Sequence, residues 1–165
     1  MGPKTQIFFD LDGPVLDISA KYYHIYKYIV TEMGGRPMPK VRYWHNKRNK
    51  IAESQLLKES NLPKELIHEY SEKRKILLET SNYLKLDTVW PDLFEYMQNS
   101  PFRGLITLVT LRHNRQALEN ELNLLGISSW FTSVLSSDEG QNEISRHSIK
   151  TQMIRAHFKS EVNGW

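Results

Sequence analysis

The first apolar cluster in the chain is Ile7-Phe8-Phe9, inside a segment (5–9) that ends at Asp10. A short, β-prone run with no polar alternation is the pattern of a strand buried on both faces. Past Asp17 the spacing changes. Tyr22, Tyr26, Ile29 and Met33 fall on one helix face, which Gly34-Gly35 ends. Residues 34–39 read as loop, and a second helix is predicted over 47–60 around Ile51, Leu56 and Leu57. Asn61-Leu62-Pro63 breaks it, with Pro63 suited to the first turn of a third helix. That helix is predicted to reach about Leu84, burying Leu66, Tyr70, Leu77 and Leu78. All of 18–85 therefore reads as helical.

Strand and helix patterns then alternate. Pro91 opens a short helix through Met97, and 104–110 is a second buried strand. Leu118, Leu122 and Leu125 mark a helix that stops at Gly126. A third strand follows at 131–136, then a helix near 148–158 with Ile149, Met153 and Phe158 apolar. Strands alternating with helices imply a parallel sheet with right-handed crossovers. The expected fold class is α/β, a Rossmann-like three-layer core with a helical block inserted after the first strand. No repeat or low-complexity segment interrupts it.

Composition narrows the class. Of 165 residues, 39% are apolar and 25% charged, enough apolar surface to fold around a core. No apolar run approaches the ~20 residues that span a bilayer. Asp10 arrives before any signal-like apolar region can develop, so the expectation is a cytoplasmic protein without membrane partners. With no cysteine, thiolate nucleophiles, thiolate metal sites and disulfides are excluded. The net charge of +3 is unevenly placed. Arg36, Lys40, Arg42, His45, Lys47, Arg48 and Lys50 crowd one stretch around Tyr43 and Trp44. Such a patch attracts anions, nucleic acid among them; a solvated loop and helix start is the simpler reading, and nucleic acid is not the expected partner.

The candidate chemistry sits at strand ends, where open parallel sheets bind ligands. Asp10 and Asp12, in Asp10-Leu11-Asp12-Gly13, leave the first strand two residues apart and converge if the backbone turns at Gly13. One carboxylate can act as nucleophile and metal ligand while the other handles a proton. Oxygen donors without His or Cys suit Mg²⁺.

Phe8-Phe9-Asp10-Leu11-Asp12-Gly13, with Asp17 beyond, resembles the first motif of the haloacid dehalogenase-like hydrolase superfamily. The resemblance implies that Asp10 forms an aspartyl-phosphate, and that Asp12 protonates the leaving oxygen and then activates water. Mg²⁺ would be held by the Asp10 carboxylate and the Asp12 backbone carbonyl. Pro14 stands where the family often has Thr. The second motif, an apolar strand ending in Thr or Ser, is matched by Leu105–Thr110, making Thr110 the hydrogen-bond donor to the phosphoryl group; Arg112 is a possible substrate contact. The third motif is a Lys near a helix start, for which Lys150 is best placed and Arg146 is the reserve.

The fourth motif, further metal-binding acids on a later strand, has no counterpart before Gly164-Trp165. Asp138 and Glu139 precede Lys150 and do not replace it. The expectation is a truncated chain lacking one or two C-terminal strands, with core 1–17 and 86–165 and a helical cap 18–85. The implied enzyme is a Mg²⁺-dependent phosphatase acting on a small phosphorylated metabolite whose anionic remainder meets the basic stretch. A phosphomutase of the same superfamily, or an inactive remnant that only binds through 36–50, is the alternative.

Overall fold

The computed structural model describes residues 6–137 and 146–162, with the side chains of 149–159 in the second stretch. Thr5, Asp138, Glu139, Gly164 and Trp165 lie outside the described residues, as does the Arg146 side chain. The chain divides into two compact units, one formed by the residues up to Asp17 and from Thr88 onward, the other by Ile18–Asp87.

The first unit is α/β. Strands β1 (Ile7–Asp10), β4 (Ile106–Thr110) and β5 (Phe131–Ser136) form a parallel sheet in the order β1-β4-β5. β4 is central, and all five of its residues are buried, which is why apolar residues occupy both of its faces. Helices α6 (Pro91–Gln98), α7 (Arg115–Leu124) and α8 (Arg146–Val162) flank the sheet. Phe8 of β1 meets Phe158 of α8 at 5.5 Å between ring centroids, and Phe94 of α6 meets Trp130 at 5.7 Å. Trp130 closes a 3-10 turn ahead of β5 and is fully buried. The α/β class and the parallel three-stranded sheet agree with the apolar pattern.

A two-stranded antiparallel ribbon, β2 (Leu16–Asp17) with β3 (Thr88–Val89), has no counterpart in that pattern. Two residues per strand are too few for alternation to register.

The second unit is helical, but its helices are shorter than the pattern predicts. α1 (Ser19–Glu32) is followed by α2 (Lys40–Arg48) and α3 (Glu53–Glu59), so the helix expected over 47–60 is broken at 49–52. Lys50 there takes a left-handed conformation (φ 56) and Ala52 an extended one. Only Tyr43 of α2 is buried, so the helix carries no apolar periodicity by which to find it. The third predicted helix is α4 (Ile67–Leu78) and, after an extended Thr80, the single turn α5 (Ser81–Leu84). Thr80 Oγ1 donates to the Leu77 carbonyl at 2.9 Å and closes the end of α4.

Tyrosines build this unit's core. Tyr26 and Tyr43 stack at 4.3 Å, and the Tyr26 hydroxyl bonds Ser60 Oγ at 2.6 Å while accepting from the Met38 amide. Gly35 sits against the Ser60 carbonyl and Leu62, where a Cβ would meet both at 2.8 Å. Lys21 and Asp87, at 2% and 0% exposure, pair at 2.5 Å and tie the start of α1 to the last residue of the unit.

Tyr43 and Tyr70 are 1% and 2% exposed. Burial pushes both phenols above their ordinary range, and neighbouring charges add to it, that of Tyr70 for Tyr43 and that of Glu53 for Tyr70. A folded-state pKa above the unfolded one means the folded state holds its proton longer. Their contribution is therefore complete below about pH 10 and declines above it, by about 1.4 kcal/mol per pH unit for each phenol. Urea unfolding at rising alkaline pH is expected to show this loss, with a shallower slope in Tyr43→Phe; equal slopes would contradict it.

Candidate functional site

The sheet's carboxyl edge collects the candidate residues. Asp10 is the last residue of β1 and pairs in register with Val109, so Thr110, the last residue of β4, lies one step further along the neighbouring strand. Beyond Asp10 the chain turns at once. Leu11 is fully buried and anchors the turn by accepting the amides of Val15 and Leu16. Gly13 adopts φ +105, open to glycine and strained for other residues. Its carbonyl accepts the Trp90 indole N–H at 2.6 Å, and its amide donates to Leu16. The turn leaves the Asp10 and Asp12 side chains 40% and 29% exposed.

Lys150 comes from a distant part of the sequence, yet its Nζ stands 2.5 Å from Asp10 Oδ2. It belongs to the early part of α8, which packs on β4. The fold therefore brings together Asp10 and Lys150, 140 positions apart. Thr110 is 1% exposed, and its hydroxyl oxygen accepts the Arg112 amide at 3.3 Å. The loop after it leads into α7, whose N-cap Asn114 accepts the Ala117 amide at 3.0 Å.

Arg112, a substrate-contact candidate by its place after Thr110, is only 5% exposed. Its Nη2 and Nε donate to the two oxygens of Asp12, at 2.6 and 3.3 Å. Its Nη1 donates to Glu121 of α7. Each guanidinium nitrogen thus already meets a carboxylate, and the side chain lies beneath Asp12. Glu121, 4% exposed, is a residue the sequence reading omits. A signal for it does exist: it falls on the buried stripe with Leu118 and Leu122, and an acid there requires a buried cation.

Among the described residues no three His, Cys, Asp or Glu side chains gather as a metal-holding cluster. The Asp10 carboxylate at the edge is a hard oxygen donor of the kind Mg²⁺ takes alongside water and substrate phosphate. No helix of the described residues is long and apolar enough to cross a membrane.

No family model matches the sequence, and no curated protein matches it. Solved structures do. A haloacid dehalogenase-like family hydrolase from Streptococcus pneumoniae superposes with a TM-score of 0.64 at 17% identity, covering 95% of this chain and 70% of its own. A candidate phosphatase from Clostridium difficile gives 0.65 at 16% identity, with 94% and 71% covered. A candidate beta-phosphoglucomutase from Thermotoga maritima gives 0.51 at 19%, with 84% and 64% covered. The chain thus spans about two thirds of the length of these structures. At such identities the likeness establishes a shared fold.

Proposed function

We propose that this chain, which has the haloacid dehalogenase-like fold, is a phosphotransferase of that superfamily that hydrolyses a small phosphomonoester through Asp10. What supports the reading most is the Asp10–Lys150 pair, 2.5 Å apart at the carboxyl edge of a parallel sheet. That edge is where such sheets bind ligands, and the pair combines a nucleophilic anion with a cation able to hold phosphate.

In the first step an Asp10 carboxylate oxygen attacks phosphorus. The bond to the leaving alkoxide breaks, and Asp12 gives that oxygen a proton. In the second, water attacks the phosphorus of the aspartyl-phosphate and passes a proton to Asp12. The acyl–phosphate P–O bond then breaks, releasing inorganic phosphate and restoring Asp10. Lys150 neutralises charge on Asp10 and on the phosphoryl oxygens, and Thr110 donates its hydroxyl to one of them. In the Arg112 fork both Asp12 oxygens accept hydrogen bonds, the arrangement of an ionised carboxylate. Water activation uses it as it stands, and protonating the leaving group requires the fork to open. Arg112 and Glu121 are thus positioning residues. Mg²⁺, held by the Asp10 carboxylate and the Asp12 carbonyl, would supply further charge neutralisation on the phosphate. The helical unit Ile18–Asp87 is assigned the part of a cap that selects the substrate and excludes water.

A protein that carries this chain together with the fourth-motif acids is expected to hydrolyse an aryl phosphate slowly with Mg²⁺ and to stop when the metal is chelated. Lys150→Met is expected to lower kcat by roughly 10²–10³-fold, the cost of losing one transition-state donor. Turnover indifferent to chelation, or unchanged in Lys150→Met, would remove the reading.

A further inference from the structure

We infer that the solvent-facing side of α2 is a binding surface for single-stranded nucleic acid, separate from the chemistry at Asp10. The charge distribution is the first reason. From Met33 to Ala52 there are six Lys and Arg residues and no acid. With those six set aside, 16 basic residues face 19 acidic ones, so the rest of the chain carries −3. The protein is net basic only through this segment.

The second reason is how these cations are disposed. Arg42 is engaged by Glu59 at 2.8 Å, and Lys47 lies over the Tyr22 ring at 5.8 Å. Arg36, Lys40, Arg48 and Lys50 are exposed and make no ion pair among the described residues. Exposed cations with no acidic partner are suited to an external polyanion.

The third reason is the shape and chemistry between them. Lys40, Val41, Trp44, His45, Arg48 and Asn49 line a depression of about 510 Å³ on this face. Lys40 and Arg48 stand eight positions apart, about 12 Å along the helix. Between them lies Trp44, half-buried and braced edge-on by Tyr22 at 6.4 Å. Val41, 82% exposed, extends the apolar floor. Cations flanking a braced aromatic platform are the means by which proteins hold single strands, phosphates on the charges and a base on the ring. Asn49 Nδ2 bonds His45 Nε2 at 3.0 Å and donates to the His45 carbonyl at 2.9 Å, which fixes both side chains beside the ring. A duplex hides its base faces and would leave Trp44 without a partner. An acidic peptide would use the cations and have no need of a stacking surface.

The test is fluorescence anisotropy of a labelled oligouridylate with the full chain at several salt concentrations. Binding is expected to weaken linearly in log–log form with added salt. The paired exposed-residue variant Lys40→Gln, Arg48→Gln is expected to reduce the magnitude of that slope by about 1.4, two phosphate contacts at ~0.7 each. Trp44→Leu is expected to weaken binding roughly 5- to 100-fold, the loss of one stacked base. Asp10→Asn is expected to bind like the parent chain, so this inference and the phosphotransferase reading fail separately. No binding at low salt would overturn the inference. So would an unchanged slope in the paired variant, or equal affinity for a duplex, inorganic polyphosphate or a polyglutamate peptide.

Discussion

Asp10→Asn is expected to lower phosphoryl transfer by roughly 10⁴–10⁶-fold, the scale seen when a covalent nucleophile is removed. The amide is nearly isosteric, but it has lost the nucleophilic carboxylate oxygen and the charge that faces Lys150. The fold is expected to survive, because Asp10 is 40% exposed and Lys150, at 26%, keeps access to water. A partly exposed pair of this kind contributes at most about 1 kcal/mol, so the thermal midpoint by circular dichroism should stay close to that of the parent. Turnover of an aryl phosphate separates chemistry from stability here. A variant within tenfold of the parent would show that another group attacks phosphorus.

Lys21→Met is expected to destabilise the helical unit by about 3–5 kcal/mol, the scale of breaking a buried pair. Methionine replaces the apolar stem of Lys21 but removes the cation from Asp87, which has no exposed surface. Typical domains are stable by ~5–15 kcal/mol, so a loss of this size moves the urea midpoint well outside error. The paired change Lys21→Met, Asp87→Leu is expected to recover most of it, because apolar residues of similar volume often replace a buried ion pair without loss. A single variant that loses less than about 1 kcal/mol, or a double variant no better than the single, would show that the pair is not what holds these two chain ends together.

The sheet was legible because its central strand is buried on both faces, and Ile106 and Leu108 on one face with Val109 on the other show no apolar-polar alternation. Asp10 and Thr110 were legible for the same reason, since each ends an apolar run. Lys150 was not visible from pattern alone. A lysine early in a helix resembles any solvated one, and only the resemblance to a known motif singled it out. The Arg112–Glu121 contact was hidden more deeply, being formed where a strand-end loop meets the inner face of α7. The break at 49–52 escaped because it is set by backbone conformation: Lys50 adopts a positive φ, which lysine does not advertise, whereas the positive φ of Asn61 falls in the Asn61-Leu62-Pro63 signal that the pattern does read as a break. α2 escaped because it buries one residue, Tyr43, and a helix that turns most of its surface to solvent shows no apolar period.

The most direct measurement is chemical trapping of the covalent intermediate. Borohydride reduces a phosphorylated aspartate to homoserine, which peptide mass spectrometry locates. With Mg²⁺ and an aryl phosphate present, the homoserine is expected at position 10 and is expected to vanish in Asp10→Asn. Turnover accompanied by modification elsewhere in the chain, or by none at all, would contradict a mechanism that passes through Asp10.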